Sequence, residues 1–324
     1  MIPTLVSILG AVVVYGLASM YYVYRLRGNV RYETVREYVR KGWPIFTPLN
    51  CLLYAATEPR ARKPFMDAAQ FPELSLLQEN WEVIRDEGLA LQEAGYFDDR
   101  NQAGASKYDV GFRSFFKYGW RRFYLKWYGY HHDSAVETCP RTTEILRKAG
   151  AVNGAMFSLL PPRAILSRHN DPAACSLRYH LGLATPNVDE CFISVDGQIN
   201  SWRDGEAMMF DETYIHNVRN DTDESRLILM CDVERPMNVV GRFVNYFCKL
   251  FLRASIVPNT EGDRCGFANQ VFLTVAPILA RGKGLKRSNR PLYVLIKWTV
   301  NLVILAIALA LLGGIVVGAW SLVS

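Results

Sequence analysis

The stretch from Asn153 to Val233 constrains the fold of this chain more than any other feature of its sequence. It contains a series of apolar runs, each roughly four to eight residues long and many with β-branched or aromatic side chains, separated by turn-forming residues. Between two of these runs, Asp196-Gly197 is a strong signal for a two-residue hairpin. About eight short strands within about eighty residues predict an antiparallel sandwich or jelly roll, and not alternating βαβ units.

Both ends of the chain are apolar and free of charge. Residues 1–24 and 298–324 contain no charged side chain, and each run is long enough to cross a hydrocarbon core, which needs about 20 residues. A secretory signal peptide fits the first run poorly, because no basic residue precedes it and Arg25, Arg27 and Arg31 follow it. We therefore predict transmembrane helices at residues 1–24 and 293–324.

Basic residues predict the orientation of these two spans. They follow the first span and precede the second, whereas both extreme termini lack Lys and Arg. The positive-inside rule then predicts that residues 25 to about 292 lie in the cytoplasm and that both termini lie outside. The seven cysteines agree with this location, since they are odd in number, scattered, and without a Cys-x-x-Cys pair that would indicate a disulfide framework or a zinc knuckle.

Residues 25–150 form a membrane-proximal connector with a helical and an aromatic-basic part. Apolar side chains at near-helical spacing predict an amphipathic helix over Leu74–Ala94. Phe112–Tyr128 interleaves aromatic and basic residues without any acid. Such a segment binds single-stranded nucleic acid, lies at a bilayer, or forms a core strand whose basic residues face water. Beside two predicted spans, the bilayer is favoured and a nucleic acid is not expected.

Residues 151–236 are expected to be the jelly roll, and residues 237–292 an amphipathic and basic region next to the membrane. Within the latter, Val239–Val257 alternates apolar residues with Arg242, Lys249 and Arg253. This pattern predicts a basic amphipathic helix. Whether that helix lies against the membrane or against the β-domain is left open by the pattern.

His169, Asp171 and His216 are the candidate metal ligands. Two imidazoles and one carboxylate form the facial triad that holds Fe(II) and leaves coordination positions open. A His-x-Asp pair alone is weak evidence, but here it ends one strand-like run, and His216 closes another run after the turn-like residues 211–213. In a jelly roll the ends of separate strands converge at one mouth of the barrel, where distant ligands meet. Arg226 supplies the two-pronged cation that the distal carboxylate of a 2-oxo-dicarboxylate prefers.

Arg178 and His180 belong to the run SLRYHLGL. Strand alternation places these two polar side chains on one face and Leu177, Tyr179 and Leu181 on the other. Two polar residues on one face beside apolar neighbours predict a lined pocket. A core histidine with its hydrogen bonds satisfied is the alternative for His180.

Several strings together resemble the aspartyl/asparaginyl β-hydroxylase family of Fe(II)/2-oxoglutarate-dependent dioxygenases. The resemblance implies that His169, Asp171 and His216 bind iron, that Arg226 pairs with the distal carboxylate of 2-oxoglutarate, and that O₂ is the oxidant. It also implies that Ser158 assists Arg226 and that Arg178 and His180 line the co-substrate pocket. Animal peptidyl hydroxylases of the family have glycine where Asp171 stands. The strings are SLRYHLGL, WRDGEAMMFDETYIH, RLILMCDVERP, FPELSLLQENWEVIRDEGLAL, SFFKYGWRRFYLKWY and PNTEGDR.

The resemblance extends to bacterial inner-membrane members of the family and over nearly the whole chain. It implies a membrane-anchored α+β protein whose double-stranded β-helix hydroxylates C2 of a lipid A acyl chain, with succinate and CO₂ as co-products. The expected partners are the lipid substrate and the bilayer, with the basic residues of Phe112–Tyr128 receiving lipid phosphates; no protein partner is expected. The alternatives are a hydroxylase of Asp or Asn side chains in a membrane-proximal protein, and a non-catalytic sensor of iron or 2-oxoglutarate.

Overall fold

Two antiparallel sheets make up the β-structure in this computed structural model, which describes residues 2–98, 101, 109, 115–296, 298 and 299. The larger sheet has the order β1-β9-β6-β11-β4-β2-β3 and the smaller one β5-β10-β7-β8. The strands are β1 (Phe65–Met66), β2 (Arg121–Trp127), β3 (Tyr130–His131), β4 (Val152–Leu160), β5 (Ile165–His169), β6 (Ser176–Ala184), β7 (Cys191–Val195), β8 (Gln198–Ser201), β9 (Ala207–Phe210), β10 (His216–Asn220) and β11 (Arg226–Glu234).

Strands β4 to β11 form a jelly roll. Along the chain, β4, β6, β9 and β11 lie in the larger sheet, while β5, β7, β8 and β10 lie in the smaller one. Successive segments thus wind between two facing sheets, which is the double-stranded β-helix that the eight apolar runs predicted. The fold expectation for this region is confirmed.

The two faces of the larger sheet carry different cores. On β11, Leu229 and Cys231 pack in an apolar core that includes the helical residues Ile84 and Leu91. Their neighbours Ile228 and Met230 point the other way, into a second core shared with the smaller sheet. Because successive side chains of a strand point to opposite faces, one face of the larger sheet packs against helices and the other lines the interior of the jelly roll. The polar residues of β6 and β11 also lie on the interior face.

Helices precede and follow the jelly roll. They are α1 (Ile2–Tyr21), α2 (Val35–Lys41), α3 (Thr47–Ala56), α4 (Ser75–Glu79), α5 (Trp81–Glu93), α6 (Asp133–Thr138), α7 (Pro140–Lys148), α8 (Val239–Arg253) and α9 (Phe267–Ser288). Short 3₁₀ segments and one π-helical turn, Tyr22–Leu26, connect them. The chain divides into two units, residues 1–270 and 271–324, and both sheets lie in the first.

Helices α4 and α5 occupy the region predicted as one amphipathic helix. Leu77, Ile84 and Leu91 are buried along them, and the helix breaks at Asn80. Gly88 of α5 allows a close approach to the sheet, because a Cβ there would lie 3.1 Å from Phe157 and 3.2 Å from Leu227. The predicted amphipathic character of this segment is confirmed, but it forms two helices and not one.

Part of the aromatic-basic segment is strand β2 inside the larger sheet, so Arg122 is not available to lipid phosphates, and the lipid contact expected of the segment as a whole stays a prediction. Strand β2 pairs with β4, and Arg122 is only 1% exposed. Its Nε donates to Asp109 at 2.9 Å, and Lys126 donates to the carbonyl of Leu146 at 3.3 Å. Both cations thus have hydrogen-bond partners within the protein; residues 112–114 lie outside the described residues.

The structure describes the two predicted membrane spans to different extents. Helix α1 covers most of the first predicted span, whereas the second, at 293–324, lies largely outside the described residues. Among the residues that the structure describes, no helix combines the length and the apolarity that crossing a membrane requires. Both spans therefore stay predictions.

Candidate metal centre and co-substrate pocket

The pairing of β5 with β10 brings the two candidate histidines together. His169 is the last residue of β5, His216 is the first of β10, and the two are direct partners in the antiparallel register. Asp171 follows two residues after β5, where its backbone N–H donates to the carbonyl of Glu212 at 2.9 Å. One ligand atom from each of the three side chains lies within 4.8 Å of the other two. This cluster is compact enough for one metal ion.

Backbone carbonyls fix which nitrogen of each imidazole faces the centre. Nδ1 of His169 lies 2.7 Å from the carbonyl of Ser167, and Nδ1 of His216 lies 3.0 Å from that of Tyr214. A carbonyl only accepts hydrogen bonds, so each Nδ1 carries the proton and each Nε2 carries the lone pair. Metal-binding histidines are oriented in this manner. Burial and the neighbouring His169 lower the pKa of His216 to about 4, so its ring is neutral.

Arg178 holds the carboxylate of the cluster. Its Nη2 donates to Asp171 Oδ2 at 2.9 Å and also contacts Glu212, while its Nη1 lies 2.6 Å from Asp232 Oδ1. Burial raises the pKa of both Glu212 and Asp232. At Asp171, burial acts in the same direction, but Arg178 and the two histidines outweigh it and lower the pKa. Negative charge is therefore favoured on the carboxylate that would bind metal.

Arg226 is a buried cation that has no counter-charge among the described residues. Its Nη2 donates to Ser158 Oγ at 3.1 Å, and its guanidinium carbon lies 4.5 Å from the ring centroid of Trp202. No carboxylate of the described residues forms an ion pair with it, and its Nε has no hydrogen-bond partner there. Burial lowers its pKa to about 10. A buried cation and an unsatisfied donor at one position fit a carboxylate ligand.

His180 offers a second unsatisfied donor in the same pocket. Trp202 Nε1 donates to His180 Nδ1 at 3.3 Å, so the proton of the neutral ring is on Nε2. Burial, followed by Arg226 and Arg178, keeps the pKa of His180 well below its usual value. Its Nε2 is buried and has no partner among the described residues. The alternative of a fully satisfied core histidine does not hold for this nitrogen.

All seven residues singled out from the sequence line one pocket. The metal triad, Arg178, His180, Ser158 and Arg226 share it with Trp120, Leu166, Ile193, Phe210, Val218 and Met230. The placement of Arg178 and His180 on the face opposite to Leu177, Tyr179 and Leu181 is as alternation predicted. The remaining wall is mostly apolar, which keeps water away from the polar groups.

Four further residues of the site were missed in the sequence. Asp232 shares the inward face of β11 with Arg226, so strand alternation alone indicated it. Trp120 donates to Ser158 Oγ at 2.8 Å, and Trp202 and Glu212 contact His180 and Arg178, respectively. Trp120, Trp202 and Glu212 lie outside regular strands, where the sequence has no periodicity that predicts which way a side chain points.

The chain segment after α1 is fastened to the rim of this pocket. Tyr32 Oη donates to the side chain of Asn170, between His169 and Asp171, at 2.7 Å. Arg27 donates to Asp211 and to the carbonyl of Thr213, both at 2.9 Å. Arg27 also lies between the rings of Tyr54 and Tyr214, at 4.0 and 3.7 Å from their centroids. The segment after α1 is thus hydrogen-bonded to residues that neighbour the metal cluster in the chain.

Comparisons with known proteins agree with this geometry. A family model described as aspartyl/asparaginyl beta-hydroxylase matches residues 78–236. An ornithine lipid ester-linked acyl 2-hydroxylase from Rhizobium tropici is 36% identical over 128 residues, which are 39% of this chain and 46% of the relative. The human aspartyl/asparaginyl beta-hydroxylase is 30% identical over 167 residues, 49% of this chain and 21% of the relative. The chain thus spans less than half the length of these relatives.

Two solved structures are distant matches to part of this chain. A prolyl-4-hydroxylase from Pseudomonas putida has 16% identity and a TM-score of 0.26, with 36% of this chain and 72% of that chain covered. A cupin 2 conserved barrel domain protein from Salinispora arenicola has 10% identity and the same TM-score, over 40% and 86% of the two chains.

Proposed function

Because residues 78–236 belong to the aspartyl/asparaginyl β-hydroxylase family, we propose that this protein is an Fe(II)- and 2-oxoglutarate-dependent dioxygenase. His169, Asp171 and His216 would hold the iron, since their ligand atoms converge and both imidazoles expose Nε2 to the centre. Three protein ligands leave positions for a bidentate keto acid and O₂. When bound, iron couples the oxidative decarboxylation of 2-oxoglutarate, which gives succinate and CO₂, to hydroxylation of the substrate.

The observation that carries this proposal is the uncompensated Arg226. A buried guanidinium without a carboxylate partner is unfavourable unless a ligand supplies the charge, and the distal carboxylate of 2-oxoglutarate is such a group. Ser158 lies within hydrogen-bond distance of Arg226 and adds a hydroxyl at the same point. His180 Nε2–H is a further donor on the wall of the pocket.

The other residues of the pocket position these groups. Arg178 orients Asp171 and keeps its carboxylate ionised. Trp120 holds the hydroxyl of Ser158, and Trp202 holds the ring of His180. Phe210 and Met230 exclude water, which strengthens every charged interaction inside the pocket.

We further propose that the substrate is C2 of a lipid A acyl chain at the cytoplasmic face of the bacterial inner membrane, with both termini periplasmic. The Rhizobium tropici relative is named as an ornithine lipid ester-linked acyl 2-hydroxylase, which supports chemistry at the same carbon of an acyl chain. The fastening of residues 27–32 to the pocket rim supports a membrane location, because it keeps the site within a few residues of the predicted span at 1–24. A lipid then reaches the pocket by lateral diffusion.

Hydroxylation of an Asp or Asn side chain is the second candidate. It is favoured by the match to the human aspartyl/asparaginyl beta-hydroxylase, which extends over more residues than the match to the lipid enzyme. The same pocket serves both chemistries, so the substrate has to be identified by experiment.

Mass spectrometry of lipid A tests the proposal directly. Cells that express the chain should gain one oxygen on an acyl fragment, and fragmentation should place it at C2. His216→Ala, expressed to the same level, is the control and should produce no gain. Unmodified lipid A, together with a hydroxylated Asp or Asn in membrane-associated proteins, would favour the second candidate. Purified protein that binds 2-oxoglutarate with Fe(II) under O₂ but releases no succinate would refute catalysis altogether.

A further inference from the structure

Helix α8 has two faces of different character. Its inner face contributes the buried Gly241 and Asn245, and Asn245 Nδ2 donates to the carbonyl of Cys175 at 2.9 Å. Val244 and Cys248 pack in a small apolar core with Leu53 of α3. The helix therefore packs against the rest of the first unit. Contact with the protein was one of the two placements of this helix that the sequence left open.

The outer face of α8 is apolar and exposed. Seven of its large hydrophobic side chains are between 52% and 72% exposed: Val239, Val240, Phe243, Tyr246, Phe247, Leu250 and Phe251. Their spacing of three, four and seven residues keeps most of them on one side of a helix. The ring of Phe247 lies 5.3 Å from that of Phe243 and 5.6 Å from that of Tyr246. A helix at the surface of a domain in water normally has its polar side chains outward, and here the order is reversed.

The charges on α8 indicate what covers this face. The helix carries three basic residues, Arg242, Lys249 and Arg253, and no acid. Lys249 pairs with Glu234 at 2.8 Å, while Arg242 and Arg253 are exposed. Aromatic and aliphatic residues on one side with flanking Arg are the combination that binds the interface of an anionic bilayer.

The neighbouring helix continues the apolar surface. Helix α3 touches α8 at a point where only glycine fits, because a Cβ on Gly241 would lie 2.5 Å from the Cβ of Ala56. Leu52 of α3 is 50% exposed, and Trp43 and Ile45, just before α3, are 47% and 60% exposed. Exposed apolar side chains thus occur on two helices in contact.

We propose that α8 is an in-plane docking helix, which rests its outer face in the headgroup and upper acyl region of an anionic bilayer. The inference rests on the proposed membrane location and not on the proposed chemistry. It adds a contact separate from the terminal spans. Helix α8 begins shortly after β11, and its Lys249 pairs with Glu234, the last residue of that strand. Docking of α8 would therefore fix the orientation of the jelly roll relative to the lipid surface.

Photo-crosslinking of the full-length chain tests this placement. The protein is reconstituted into nanodiscs of phosphatidylethanolamine and phosphatidylglycerol with p-benzoylphenylalanine at Phe247, whose ring is 55% exposed and leaves room for the added benzoyl group. The matched control has the same group at Ile199, a β8 side chain that is 66% exposed. We expect lipid adducts at position 247 to exceed those at position 199 by about tenfold, as for a side chain inserted into lipid.

Each other product overturns the proposal. A crosslink between two chains means that a second copy covers the face, and an adduct with residues 271–324 means that the protein covers it itself. Adducts no more frequent than at position 199 mean that the face is in water.

A Phe243→Glu, Phe247→Glu double variant gives an independent readout. With lipid A added to the same nanodiscs, its hydroxylation should fall by about tenfold, with uncoupled succinate production unchanged, and Ile199→Glu should alter neither. If no lipid product forms with any variant, the substrate proposal fails while the crosslinks still decide the docking.

Discussion

Replacing Arg226 with methionine should separate ligand binding from folding stability. The pKa of Arg226, lowered from 12.5 to about 10 by burial, corresponds to about 3 kcal/mol of unfavourable desolvation in the ligand-free protein. Arg226→Met removes this cost along with the hydrogen bond to Ser158 and the contact with Trp202, which together stabilise by about 1–3 kcal/mol. Because the two effects oppose each other, the free energy of unfolding without ligand should change by less than about 2 kcal/mol.

Binding of 2-oxoglutarate should respond very differently to the same substitution. Loss of one partner of a buried, hydrogen-bonded charge pair costs about 2–5 kcal/mol, so the Kd for 2-oxoglutarate should rise by about 30-fold or more. Calorimetry with Mn(II) in place of Fe(II) measures this Kd, and urea unfolding measures the stability of the same preparation. Arg226→Lys retains the charge but loses the two-pronged geometry, so its Kd for 2-oxoglutarate should lie between those of the wild type and of Arg226→Met.

Arg235 supplies a matched control, because it is equally buried but has a counter-charge. It donates to Asp211 and to the carbonyl of Ser176, both at 2.9 Å. Loss of these two hydrogen bonds in Arg235→Met should destabilise the protein by about 2–4 kcal/mol and leave the Kd for 2-oxoglutarate close to that of the wild type. The reasoning about Arg226 is wrong if Arg226→Met destabilises the ligand-free protein as much as Arg235→Met does. It is equally wrong if Arg226→Met binds 2-oxoglutarate with unchanged affinity.

Three other substitutions test the site and its scaffold. Arg178→Gln removes the partner of Asp171 and should weaken Co(II) binding by about 10–100-fold in a spectroscopic titration; affinity equal to that of the wild type would contradict the positioning role. Burial, with Lys126 and Arg147, lowers the pKa of His131 to about 4 in the folded state, below its unfolded value of about 6.5, so protonation favours unfolding. Stability should therefore fall as the pH drops from about 6.5 toward 4, and His131→Gln should make the urea midpoint less dependent on pH in that window; an identical dependence would exclude His131 as a contributor. A Cβ on Gly182 would lie 1.9 Å from the carbonyl oxygen of Arg203, so Gly182→Ala should destabilise the protein by at least about 3 kcal/mol, and an unchanged Tm would show that the backbone moves aside.

Much of the fold could be predicted because its signals are local. The period of two that separates Leu177 and Tyr179 from Arg178 and His180 reports which face of a strand each side chain takes, and the structure places them accordingly. The short apolar runs likewise predicted the jelly roll. These patterns depend only on neighbours in the chain, so they can be recognised in a single sequence.

Partners from distant parts of the chain decided the rest. The basic residues of β2 suggested a surface for lipid phosphates, but Arg122 is buried against Asp109 because β2 is an inner strand of the larger sheet. Arg178 lies on the predicted pocket face, yet its engagement with three carboxylates depends on residues as far along the chain as Asp232. No local pattern reports whether a charge finds a partner, since that depends on which strands become neighbours.

The sequence by itself determined the strand pattern and the chemical types of the site: two imidazoles, a carboxylate, and a cation for a second carboxylate. Only the tertiary structure decided that Arg226 has no counter-charge among the described residues while Arg178 has three. It also decided that α8 keeps one apolar face exposed after the other has been buried. The physical reason is that the cost of burying a charge, or of exposing an apolar face, is set by the surroundings that the folded chain brings to it.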